Sequence, residues 1–187
     1  VLTRMISVYG SDAVATQRVG GQIESVSWNT ADGFAAALNA FVAQNYGAGK
    51  KDRIRKGTKE AFFLSFVFCI VISAAVFIFA APLMQIFVSA KETAVIASGV
   101  KYLRIEGAFY CGIGCLFLLY GYYRAVNQPQ MSVILTIASL GTRVVLAYLL
   151  SATPLGVTGI WMSVPIGWAL ADAIGIGYYW KQKKAQT

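Results

Sequence analysis

The sequence predicts an all-α integral membrane protein with five transmembrane helices, and three observations carry that prediction. Of 187 residues, 57% are hydrophobic and only 13% charged, with a mean hydropathy of +0.61, whereas a soluble domain is nearer a quarter charged. The apolar residues fall in runs long enough to cross a hydrocarbon core, which takes about 20 helical residues. Basic residues collect in the gaps between those runs, as the positive-inside rule requires.

The spans follow from hydropathy and punctuation. Residues 1–12 read as the end of a preceding membrane helix and an outer loop. The first full span runs from about Ala13 to Ala43 and stops at "NYGAGK". The second, from about Ala61 to Val88, is nearly pure Phe, Val, Ile and Ala. The third covers about Thr93 to Val126, after the polar turn "SAKET". The fourth follows "NQPQ", from about Met131 to Leu150, and the fifth runs from about Gly156 to Trp180 after "SATPLG". Residues 181–187 form a basic tail. Connectors this short join antiparallel neighbours in a bundle.

The net charge of +8 reads as topology and not as a nucleic-acid footprint. Ten of the sixteen Lys and Arg share one side: Lys50, Lys51, Arg53, Arg55, Lys56, Lys59, Arg124, Lys181, Lys183 and Lys184. Arg4 and Lys91 lie on the other. The basic side, with the C-terminus, is therefore expected in the cytoplasm, and five spans then put the N-terminus outside. No export signal accounts for that placement, so an upstream membrane segment is expected.

Span one carries the chemistry. On a helical wheel Gln17, Arg18, Gln22, Glu24, Ser25, Trp28, Asn29, Asp32 and Asn39 fall within an arc of roughly 160°. Val19, Ile23, Val26, Phe34, Leu38 and Phe41 occupy the opposite arc. A charge at the bilayer centre costs several kcal/mol, about 3 by insertion scales, so this polar face lines a wet cavity or pairs inside a bundle. In the structural alternative Arg18 pairs with Glu24 or Gln22 and pins the helices. In the functional one Glu24 and Asp32 bind and release a cation or proton. Arg18, Gln22, Trp28 and Asn29 then line a substrate cavity, with the Trp28 ring facing an organic cation.

The other intramembrane charges are Lys101, Arg104 and Glu106 near the outer start of span three, and Arg143 deep in span four. Asp172 in span five is the expected partner of Arg143. Gly107, Gly114 and Gly121 recur every seven residues and form a small-residue stripe for close helix approach. Pro165, between Trp161 and Trp168, invites a kink. Cys69, Cys111 and Cys115 read as buried structural thiols, because two thiols on one face without further ligands make no tetrahedral metal site. With no His there is no Ser–His or Cys–His pair, and "GAGKKDR" lacks P-loop spacing. Nothing points to an enzyme or to an organic cofactor.

The run "GSDAVATQRVGGQIESVSWNTADGFAAALNAFVAQNYGAGKKDRIRKG" resembles the multidrug and toxic compound extrusion (MATE) transporters, where "VAQNYGAGKKDR" matches a recurrent signature of the second lobe. "GYYRAVNQPQMSV" and "GVTGIWMSVPIGWALAD" resemble later helices of the same lobe. The resemblance implies a twelve-helix antiporter of two six-helix lobes, exporting small organic cations against Na⁺ or H⁺ by alternating access. The chain would then be most of the C-terminal lobe in the plasma or inner membrane, its partners the lipid and an N-terminal lobe, with no metal beyond Na⁺. One departure stands out: relatives carry an embedded carboxylate in the tenth helix, and "FYCGIGCLFLLYG" has Gly114 there, leaving coupling to Glu24 and Asp32 or to parts outside this chain. A lipid-linked precursor flippase of the same superfamily is the alternative that Arg18, Arg104 and Arg143 favour. A non-transporting truncated membrane protein is another.

Overall fold

The computed structural model describes residues 1–185, without the side chains of residues 183–185. The expected basic tail therefore lies, beyond Gln182, outside the described side chains. The described chain is helical throughout: α1 (Leu2–Ser7), α2 (Ser11–Gly47), α3 (Lys51–Phe87), α4 (Thr93–Gly107), α5 (Tyr110–Ala125), α6 (Pro129–Ser151) and α7 (Val157–Ala185).

Glycine and proline set the turns. Gly10 enters α2 at φ 99°, and Gly49 (φ 67°) ends it in a backbone conformation that favours glycine. Lys50 N–H donates to the Asn45 carbonyl at 2.9 Å, tying off the end of α2. Pro129 opens α6 at the first helical position, where its missing N–H costs nothing.

Helix α3 begins at Lys51, about ten residues before the span expected from hydropathy. Its basic first turns are helical because they dock on the end of α2: Ile54 and Thr58 are buried, and the Phe41 ring covers Gly57. Further along, Pro82 cannot donate to the Ile78 carbonyl, and the helix departs from helical φ/ψ at Phe79 (−96°, 17°). Arg104 attends this bend, donating from Nε to the Phe77 carbonyl at 3.4 Å and stacking 5.1 Å from the Phe77 ring centroid. α7 also continues across its proline, Pro165.

The third expected span is broken. α4 and α5 meet at Ala108–Phe109 with a bend of 49°. Phe109 N–H bonds back to the Glu106 carbonyl at 3.0 Å and Gly112 N–H to the Phe109 carbonyl at 2.8 Å, a tight turn inside the span. Discontinuous helices in membranes occur where the loosened backbone is buried in protein or lines a cavity.

α5 is the centre of the bundle and touches α2, α3, α6 and α7. Its leucines 116, 118 and 119 and Tyr123 are buried with Leu103, Leu135 and Trp161. The predicted glycine stripe serves two neighbours. Gly107 and Gly114 lie against Val76 and Cys69 of α3, and Gly121 lies against the Ala35 backbone of α2. There Asn39 Nδ2 donates to the Gly121 carbonyl at 2.9 Å.

Three described helices are long and apolar enough to cross a membrane, with mean hydropathies of 2.8 (Lys51–Phe87), 2.0 (Pro129–Ser151) and 1.4 (Val157–Gln182), and the bent α4–α5 pair adds a fourth. α2 stays below that threshold because of its polar face. Exposed Phe63, Phe66, Ile70 and Ile78 on α3, with Val133, Ile137, Leu140 and Leu149 on α6, form apolar surfaces suited to acyl chains.

The Gly121 crossing yields a test. A Cβ there would strike the Ala35 backbone, which cannot rotate away. Gly121→Ala is expected to cost about 1–3 kcal/mol and to lower the melting temperature of the protein in detergent. Gly141→Ala, where nothing lies within 4 Å, should leave it unchanged or higher. Equal melting of the two variants would contradict the crossing.

Candidate functional site

Five helices enclose a cavity of about 410 Å³. Its polar wall comes from Gln17, Glu24, Trp28 and Asn29 of α2, Tyr102 and Glu106 of α4, and Arg143 of α6. Ile6 of α1 with Ile160 and Trp161 of α7 close the apolar side.

Its centre is a hydrogen-bonded pair of helices. Tyr102 Oη donates to Glu24 Oε2 at 2.8 Å, and Gln17 Nε2 donates to Tyr102 Oη at 3.4 Å. Glu24 is 3% exposed, Tyr102 1% and Glu106 1%. Such depth is rare for carboxyl groups unless they are paired or hydrogen-bonded. The contact exists because position 20 is glycine: the Tyr102 ring lies over Gly20 where a Cβ would stand. The ring is fixed from its other side by Trp161, edge-on at 5.3 Å between centroids.

Glu106 lies one helical turn past Tyr102 and lines the same cavity as Glu24, where each carboxyl is within electrostatic reach of the other. Two bare carboxylates so placed repel, so the pair suits a proton or a cation shared between them. Arg143 places a positive charge near both carboxyls. Several polar atoms on this wall are buried without a hydrogen-bond partner: Glu24 Oε1, Gln17 Oε1, Trp28 Nε1 and Trp161 Nε1. Unsatisfied buried atoms are uncommon, a few per hundred residues. Four of them around one cavity supply acceptors for a cation and donors for a polar ligand.

The predicted residues separate. Glu24 and Trp28 sit on the seam between the buried and polar faces of α2, and Trp28 meets Trp168 edge-on at 6.4 Å. Arg18, Gln22, Asn29 and Asp32 are exposed on the polar face, and of these Asn29 alone reaches the cavity wall. Glu24 and Asp32, the two expected coupling carboxylates, are not brought together by the fold. Eight residues of helix turn about 80° away from Glu24, which carries Asp32 off the seam, and Glu106 occupies the place beside Glu24. Arg18 likewise falls about 120° round the helix from Glu24, whose partner is Tyr102. The expected Arg143–Asp172 pair is also replaced: Arg143 faces the two glutamates, while Asp172 lies beside Cys115. The broken span keeps an embedded carboxylate after all, as Glu106 just before the break rather than at Gly114. A phenol and a carboxylate one turn apart in "KYLRIEG" were the available signal.

Buried carboxyls, a broken helix and a polar cavity within a helical bundle are features found in membrane transporters. The MatE family model matches residues 1–149, and the chain belongs to that family. It is 27% identical over 184 residues to the probable multidrug resistance protein YoeA of Bacillus subtilis (strain 168), covering 96% of this chain and 39% of the relative. With the probable multidrug resistance protein NorM of Thermotoga maritima it shares 25% identity over 166 residues, 88% of this chain and 35% of that protein. The structure superposes on a multidrug resistance MATE family transporter of the MOP superfamily in its outward-facing conformation with a TM-score of 0.90 at 20% identity, over 98% of this chain and 42% of the other. That likeness establishes the fold. The chain spans about two fifths of the length of the relatives it matches.

The Gly20 contact is testable on its own. Gly20→Ala would drive a methyl into a ring that Trp161 holds in place, costing about 1–3 kcal/mol of stability and separating Tyr102 from Glu24. Gly21→Ala, with nothing within 4 Å, should be silent. Thermal unfolding of the two variants side by side decides it, and a Gly20→Ala protein as stable as wild type contradicts the packing.

Proposed function

We propose that the chain is one lobe of a multidrug exporter in the cell membrane, coupling entry of Na⁺ or H⁺ to the exit of organic cations by alternating access. The observation that carries the reading is the Glu24–Tyr102–Glu106 cluster, a buried carboxyl pair at a helix break with unpartnered acceptors beside it. The multidrug resistance names of the relatives support the substrate class.

In this reading a proton or Na⁺ enters the cavity and is taken between the two carboxyls. Neutralising them removes a charge that otherwise demands hydration, so the cavity can close and the lobe can move as a body. The hydrogen bond from Tyr102 holds Glu24 ready, and Arg143 favours release by competing for the same negative charge. Trp28 offers an aromatic face to the organic cation. The exposed polar face with Arg18, Gln22, Asn29 and Asp32 would look across a central passage to a second lobe, since a face of that polarity is costly against acyl chains. The basic start of α3 and the C-terminus would lie in the cytoplasm.

Ethidium efflux from energised cells expressing the full-length protein tests the proposal. Glu24→Gln and Glu106→Gln should each reduce efflux to background with membrane expression intact. Asp32→Asn should retain most of it. Full efflux by both glutamine variants would overturn the coupling role.

A further inference from the structure

A second cavity lies on the outer side of the bundle, away from the carboxyl pair. α3 and α7 both pack on α5 but diverge from each other at the basic end, leaving a groove of about 520 Å³. Arg55, Thr58, Lys59 and Phe62 line it from α3, at the i, i+3, i+4 and i+7 spacing that places residues on one helical face. The opposite wall is Ile176 and Tyr179 of α7, the latter stacked edge-on with Tyr122 at 5.3 Å, and Leu119 of α5 forms the floor.

The chemistry is graded along the groove. Two exposed cations stand at the mouth and no Asp or Glu is among its lining residues. Thr58, 5% exposed, also belongs to the lining. Roughly 10 Å along the axis from Arg55, at Phe62, the wall is apolar. A cationic mouth and an apolar floor match a phosphate ester joined to a hydrocarbon chain. Basic pockets between membrane helices at the cytoplasmic surface take such headgroups.

We infer that the groove between α3 and α7 binds an anionic glycerophospholipid from the leaflet on the basic side, its phosphate on Arg55 and Lys59 and one acyl chain along Phe62, Leu119 and Ile176. The site is independent of the proposed coupling pair.

Native mass spectrometry of the full-length protein, released from micelles holding equal phosphatidylglycerol and phosphatidylcholine, tests this. Wild type should retain phosphatidylglycerol preferentially. Arg55→Ala combined with Lys59→Ala should weaken that retention by about tenfold or more, as expected for two lost cation contacts. Lys51→Ala with Arg53→Ala, on the same helix but outside the groove, should retain it. Ile176→Trp, which fills the floor and keeps both charges, should also lose it, and millimolar inorganic phosphate should not displace the lipid. Equal retention of the two lipids, or equal loss from both basic-pair variants, would mean general surface attraction and overturn the site. Displacement by inorganic phosphate would identify an anion site without a lipid and overturn it too.

Discussion

One contact organises this lobe: the hydrogen bond from Tyr102 to Glu24, made over the bare surface of Gly20. It joins the polar helix α2 to the broken helix α4 across 78 residues of sequence. A hydrogen bond to a charged group is worth about 1.5–3 kcal/mol net, but its larger effect is on position. With Tyr102 fixed, Glu106 one turn later is held on the same face of α4, beside the cavity that Glu24 lines. The break at Phe109 then ends α4 just past that carboxyl and lets α5 turn into the bundle centre.

The surfaces divide according to the same frame. α2 buries Ile23, Ala31, Leu38 and Val42 together with Glu24 in the lobe and leaves Arg18, Gln22, Asn29 and Asp32 outward, while α3 and α6 present apolar side chains. Helices that are greasy on their outer faces need lipid there, and the polar face of α2 needs water or another protein surface. Between α3 and α7 the apolar surface gives way to the basic-mouthed groove, and the two cavities share no lining residue.

Much of this was legible in the sequence because it depends on local periodicity. The polar arc of α2, the glycines at 107, 114 and 121, and the basic ends of the helices all follow from spacing along one helix. What escaped depends on register between helices. Glu106 reads as a residue near the mouth of a long span, yet beside the break at Phe109, which no proline announces in "GAFYCGIG", it is buried among the helices. Asp32 looks equivalent to Glu24 within a wide arc, yet about 80° of rotation separates a residue on the packing seam from one on the open face. Arg143 and Asp172 share a depth but point to different neighbours, a distinction that hydropathy does not contain.

The central claim is that Glu24 and Glu106 act as one unit, and a double-mutant cycle on ion-dependent stability tests it most directly. The melting temperature of the full-length protein would be followed against Na⁺ concentration and against pH in wild type, Glu24→Gln, Glu106→Gln and the double variant. If the carboxyls share one proton or cation, either single change removes the ion-dependent shift and the second removes nothing more. Two partial losses that add in the double variant would mean two separate groups, and the shared site would be wrong.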